Sequence, residues 1–391
     1  MRKSVQSAVL AAAAAVATIP VVATADNKSR SIPSVVVTVE NAAPARGAFQ
    51  TPFWVGIHDG SFDIYDRNVP LGADGLVPAP AVERLAEDGN TGPISDEFSI
   101  SQPSSPQATI IAQSGPFAPG DTSSVTLQVD PDYDRYFSYA SMVIPSNDAF
   151  IANGSPLAHQ LFDDRGRFVG SRFSVAGTEV LDAGTEFNDE LAENTAFLNQ
   201  GGPDIGVTED GVVVLHEGLR TDLAFPNGVL SHPVFGFADF LAPTYRAADF
   251  SFRYVDLGRN NFFRSRLNAR QEVSANLVES RGRGEAFAVS RRGEQLSIRI
   301  IFNRLSGPVT MAHLHNAAEG SNGPVVVNLG DGIRSNSVRA TISAHDVVGP
   351  LAEGDDPFLN LLNELAAGNI YINLHTAENP AGEIRGQLTL R

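Results

Sequence analysis

Short alternating apolar runs dominate the chain and predict β-strands rather than long helices. Residues 34–41 (SVVVTVEN) read as a first strand, and 54–60 (WVGIHDG) as its continuation in a sheet. Residues 125–130 (VTLQVD) and 136–144 (YFSYASMVI) alternate like paired strands, and 212–215 and 249–255 complete the N-terminal pattern. Between 78 and 93 a Pro-rich entry, about two helical turns around Val82 to Ala86 and an exit at Gly89 interrupt the strands. A second helix is spelled by Asp356 as N-cap, Pro357 at the first position, Phe358, Leu361, Leu362 and Leu365 on one face, and Gly368 after the end. Near the C-terminus Ile370, Ile372 and Leu374 alternate with Tyr371, Asn373 and His375, a half-buried strand with His375 on its polar face.

The pattern gives an all-β protein of two β-sandwich domains joined through about residues 256–264. The N-terminus reads differently. Arg2 and Lys3 precede an Ala-rich apolar run broken by Pro20, and Ala23-Thr24-Ala25 matches a cleavage signature. Residues 1–25 therefore read as a signal peptide and 26–33 as a disordered lead, which places the mature protein outside the cytoplasm, secreted or periplasmic. No other stretch approaches transmembrane length.

The whole chain carries 28 basic against 45 acidic groups, a net charge of −17. Loss of residues 1–25 takes it to −19. Such a surface repels nucleic acid and anionic membrane, attracts divalent cations, and also serves simply as a solvated coat. There is no cysteine, so core burial or bound metal must hold an exported fold that has no disulfides.

Two constellations carry candidate chemistry. His313 and His315 are two apart in AHLHNAAEGSNGPVVVNL (312–329), so on an extended strand both leave one face, and His375 on a second strand supplies a third imidazole. Three neutral nitrogens on a rigid frame suit copper or zinc; alternatively, the histidines hydrogen-bond the loops after their strands. In the N-terminal half, Pro145-Ser146-Asn147-Asp148 places a carboxylate at a strand end, and LDAGTEFND (181–189) offers Asp182 and Glu186 around a turn. Loops at one end of a sandwich can supply oxygens to calcium, so these three acids are a candidate calcium set; alternatively, Asp148 caps its turn and the others are solvated.

The strings HLH with NGPVV (322–326), and NLHT with NPAGEIRGQL (379–388), resemble the chordin-type CHRD domain over about residues 262–391. Their order is also similar to that of a copper/zinc superoxide dismutase. The resemblance implies a Greek-key sandwich or barrel with His313, His315 and His375 as copper-type ligands. A bridging histidine before His345 and a zinc loop are missing. SMVIPSNDAF followed by LDAGTE, with FWVGIH and LAEDG upstream, resembles the spondin N-terminal domain over about residues 32–256. That family implies a C2-like β-sandwich, loop-bound calcium, and extracellular adhesion or matrix roles. Asp148 and Asp182 fall on its motif aspartates, and Glu186 stands where the family has Asp.

Walker-type loops, a G-x-S-x-G elbow and an H-E-x-x-H helix are missing, and the acid pairs Asp163-Asp164 and Asp355-Asp356 read as a hairpin turn and a helix cap. The isolated His58, His159, His216, His232 and His345 read as structural or solvated. Arg281, Arg283, Arg291 and Arg292 read as a basic hairpin. With no complete catalytic set, the chain reads as a calcium-binding extracellular protein that engages a protein or glycan partner. A copper or zinc carrier or redox protein, and a surface-layer or filament subunit, stand as alternatives.

Overall fold

The computed structural model describes residues 31–391 apart from 114, 224–227, 275–277 and 334. The expected signal peptide and most of the expected lead lie outside the described residues. The N-terminal half supplies β1 (Pro33–Asn41), β2 (Phe53–His58), α1 (Ala79–Asp88), α2 (Gly92–Ser101), β3 (Gln107–Ile110) and β4 (Thr122–Gln128). It continues with β5 (Tyr136–Ile144), β6 (Ala149–Ala152), β7 (Phe173–Ala176), β8 (Leu181–Asp182), β9 (Val214–Leu215) and β10 (Arg246–Asp256). One sheet has the order β4-β1-β10-β7 and the facing one β9-β8-β6-β5-β2-β3.

The C-terminal half supplies β11 (Asn261–Asn268), β12 (Arg283–Arg291), β13 (Gln295–Asn303), β14 (Val309–Asn316), β15 (Val325–Ile333) and β16 (Ser337–Ile342). Helix α3 (Pro357–Ala367) then leads to β17 (Ile370–Thr376) and β18 (Ile384–Gln387). Their order is β15-β14-β17-β18-β11-β12-β13-β16, and the sheet curls into a nearly closed barrel. The fold is all-β, as the alternating pattern predicts.

Several strands are wetter in the sequence than in the fold. Residues 136–144 alternate by type, yet everything in β5 after Tyr136 is buried. Phe137, Tyr139 and Val143 enter the core between the two sheets, while Ala140 faces a second core built from Trp54, Phe98, Phe150, Val82 and Leu85 under α1 and α2. The helical region is larger than the two turns expected, because α2 packs through only Ile94 and Phe98 and so shows little period. Pro33, expected in the lead, opens β1 and faces Asp256 across the sheet.

The five consecutive valine and threonine positions of β1, residues 35–39, have the same explanation. Val35, Val37 and Val39 fill the core between the sheets, while Val36 joins Val255 and Leu257 in the core of the C-terminal half. The outer face of this sheet is covered by α3: the Thr126 hydroxyl donates 2.7 Å to the Asn363 carbonyl, and Arg253 donates 2.6 Å to the Ala366 carbonyl. Cover on both faces lets the apolar Val36 stand between Val35 and Val37, while Ser34, Thr38 and Glu40 keep the rest of the outer face polar. Asp356 caps α3 by accepting from the Leu359 N–H at 3.0 Å, and Gly368 ends the helix in the left-handed conformation, as the sequence predicts.

Leu361 on α3 is fully buried. Leu361→Ala should cost about 2–5 kcal/mol, read as a lower denaturation midpoint of the full chain. A loss well under about 1 kcal/mol would mean that α3 is not packed as described.

Candidate functional site

The histidine set is made by strand pairing. In the antiparallel register of β14 and β17, Met311 faces His375, His313 faces Asn373 and His315 faces Tyr371. These odd-numbered residues share one face. Ala312, Leu314, Ile370, Ile372 and Leu374 point the other way, into the core. Bulges in β14 against β15 on either side of His313 and Leu314 re-aim the histidines.

Ring centroids lie 5.6 Å apart for His313 and His315, 5.1 Å for His313 and His375, and 6.3 Å for His315 and His375. One ligand atom from each lies within 4.8 Å of the other two. His315 Nδ1 is 3.0 Å from the Gly323 carbonyl and His375 Nδ1 is 3.0 Å from the Pro380 carbonyl. A carbonyl only accepts, so both rings carry the proton on Nδ1 and keep a lone pair on Nε2. Both Nε2 atoms, and Nδ1 of His313, are buried without a hydrogen-bond partner.

Burial lowers the pKa of all three histidines, and for His315 the two neighbouring histidines and Arg385 lower it further. The rings are therefore neutral near pH 7, the form that ligates metal. Each unpaired buried acceptor costs about 1–3 kcal/mol, and a soft or borderline cation fits three such nitrogens in one place. Loop hydrogen bonds and ligation coexist here, one nitrogen of His315 and His375 serving each; such bonds orient metal-ligating histidines.

The motifs flanking the histidines make the carbonyls that hold them. Gly323 packs so closely that a Cβ would sit 1.8 Å from the Asn316 carbonyl oxygen, so no larger residue fits where His315 is tied down. Its N–H donates 3.2 Å to the Tyr371 hydroxyl. Tyr371 stacks on His315 with centroids 4.8 Å apart, and the buried Arg385 guanidinium lies 3.4 Å from the centroid of the Tyr371 ring. Sequence reasoning missed Tyr371 and Arg385 because it read residues 370–375 as half-buried. All seven residues of β17 are buried, the polar face being roofed by the Gly323 and Pro380 loops.

A cavity of about 440 Å³ reaches His315, Tyr371 and Asn373 and is walled by Glu272, whose pKa burial pushes up to about 7. His58, read as structural, is buried with Nε2 2.8 Å from the Ser138 hydroxyl, and burial lowers its pKa to about 4.

Asp148, Asp182 and Glu186 lie near one another in the N-terminal half, but among the described residues the three do not bring one oxygen each within 4.8 Å of the others as the histidines do. Asp182 on β8 faces Ala149, which brings it beside Asp148. The fully buried Asp148 accepts at Oδ2 from the Thr185 N–H (2.8 Å), the Thr185 hydroxyl (3.1 Å) and the Glu186 N–H (3.1 Å), while its Oδ1 has no partner. Asp182 accepts from the Gly184 N–H at 2.8 Å and from Asn188 at 2.5 Å. Glu186 is buried, and its Oε2 is unpaired.

Helix α1 adds a residue that sequence reasoning missed, Glu87, which is 2% exposed. Close-set oxygens come from Glu83, Glu87 and Asp204, with Arg84 paired to all three. Glu87 was legible only as part of LAEDG, since nothing in a helix pattern says which acid faces inward. Burial, then the Asp182 charge, pushes Asp148 up to about 6. Burial raises Glu87 to about 7, against the Thr185 hydrogen bond and Arg84. Burial, then the Glu87 and Asp148 charges, pushes Glu186 up to about 8.

Residues 263–388 match the family model of the CHRD domain. The histidine strands and their Gly-Pro and Pro-Ala-Gly loops lie within the matched residues, and the CHRD domain is a type found in extracellular proteins. No curated protein matches the chain. No helix among the described residues is long and apolar enough to cross a membrane.

The raised carboxyl pKa values set a pH trend for the metal-free protein. A carboxyl whose folded pKa lies above its unfolded value stabilises the fold at low pH, and that contribution is lost as pH rises through the folded pKa. The Glu186 contribution should therefore fall between about pH 4.5 and 8. Glu186→Gln should flatten this decline in thermal scans and raise the midpoint at pH 8 by about 2–4 °C, roughly 1 kcal/mol. An unchanged slope would mean that Glu186 is not held protonated.

Proposed function

We propose that the protein is an extracellular binding protein whose CHRD domain holds one copper or zinc ion on His313, His315 and His375. The observation that carries this reading is the convergence of three buried ring nitrogens without hydrogen-bond partners. Two of the rings are aligned by Nδ1 donation to backbone carbonyls. A bound copper ion would supply one-electron chemistry and zinc a Lewis acid; the protein's own part is to orient neutral rings and exclude water.

Metal analysis of protein purified without an affinity-metal column should give copper or zinc near one per chain. His375→Ala and His313→Ala should each lower copper affinity at least about 100-fold, a loss of about 2.7 kcal/mol or more. Wild-type affinity in both variants would remove the reading. The cavity at His315 favours a second reading, a redox protein similar to superoxide dismutase, since a catalytic metal site keeps a position open. Copper-loaded protein without superoxide dismutation would sink it.

We further propose that residues 32–256 form a spondin-like domain with a calcium site on Asp148, Asp182 and Glu186, joined to Glu87. The support is the pair of unpaired buried oxygens on Asp148 and Glu186 among like charges. Calcium should raise the thermal midpoint of metal-cleared protein, and more at pH 8 than at pH 6, because protons compete for the same oxygens. Asp148→Asn should abolish the rise. A midpoint indifferent to calcium would end this part. An extracellular protein or glycan would be the partner held by that domain.

A further inference from the structure

We infer that the outward face of β11, β12, β13 and β16 binds an anionic polysaccharide. The four strands align Arg264, Phe287, Arg299 and Arg339 as direct neighbours in one transverse row. Alternation sends Ala286, Ala288, Ile298, Ile300 and Val338 into the barrel and turns this row to solvent. With strands about 4.8 Å apart, the row spans roughly 14 Å.

Phe287 is 44% exposed, and the Arg264 guanidinium lies 5.6 Å from its ring centroid. Phe262 on the same face is 57% exposed. The one acid in the neighbouring row, Glu285, is paired with Arg264. Arg299 and Arg339 have no acidic partner among the described residues, although they sit directly opposite each other. Like charges so placed destabilise a sheet, and an anion bridging them would reverse the sign.

The charge of the chain is divided in the same sense. Residues 257–391 set 14 arginines against 13 acidic groups, so the excess negative charge lies in residues 1–256. Arg283, Arg291 and Arg292 do lie on a hairpin, formed by β12 and β13, but the four arginines 281, 283, 291 and 292 are not gathered into one local cluster. Arg283 and Arg291 stand at opposite ends of the nine-residue β12, and the basic row forms across the strands instead.

Guanidinium forks match sulfate and carboxylate groups bidentately, and exposed aromatic rings take the apolar faces of sugar rings. A polysaccharide is thin enough to lie along the row. A flat anionic membrane would also have to approach a chain of net charge −17, whose repulsion fades only beyond a Debye length of about 8 Å.

Full-length protein should bind dextran sulfate but not neutral dextran at low ionic strength, and added salt should weaken the binding. The double variant Arg299→Thr, Arg339→Thr should weaken it at least about tenfold, with a thermal midpoint at or above that of the wild type. Arg339→Thr alone, on the end strand of the sheet, should show an intermediate loss. Absence of dextran sulfate binding, or equal binding by the double variant, would overturn the inference. So would polyglutamate binding as tight as dextran sulfate, which would make the face a reader of acidic peptides. Salt-sensitive self-association that dextran sulfate does not displace would assign the face to the acidic half of a second copy.

Discussion

The antiparallel register between β14 and β17 is the constraint on which the C-terminal half rests. It sets His313, His315 and His375 on one face while sending Leu314, Ile370, Ile372 and Leu374 into the core. A slip of one residue would exchange the two faces, burying imidazoles in the barrel and exposing its aliphatic filling. The hydrophobic effect that fixes the barrel therefore also fixes the histidine geometry. The site needs no separate scaffold.

The two candidate sites concentrate unsatisfied groups in opposite ways. Among the histidines, burial favours the neutral form, and the cost lies in lone pairs that no protein donor meets. Around Asp148, Glu87 and Glu186, burial and mutual repulsion both disfavour the charged form, so the pocket holds protons that free carboxyls would have lost. The first arrangement suits a borderline or soft cation and the second a hard one.

Much of this was legible in the chain. The period-2 runs gave the β class, and Asp356, Pro357 and Gly368 gave α3 nearly to the residue, because capping is local chemistry. The two-residue spacing of His313 and His315 gave their shared face. What escaped depends on tertiary cover. Tyr371 and Arg385 look like exposed strand positions until the Gly323 and Pro380 loops close over them. Glu87 looks like any surface acid of a helix. The row from Arg264 to Arg339 is invisible along the chain because its members come from four strands spread over 76 residues.

The double cover of β1 bears on how the molecule is made. Its valines are among the first described residues to leave the ribosome, yet of its two pairing partners β4 follows about ninety residues later and β10 about two hundred, and α3, which roofs the outer face, about a hundred beyond that. Contacts so distant in sequence slow folding, because a long loop must close before they can form. The N-terminal half thus cannot complete its surface during its own synthesis. The outer face of that sheet, with Val36 and Val255 among mostly polar neighbours, stays uncovered until nearly the whole chain is present.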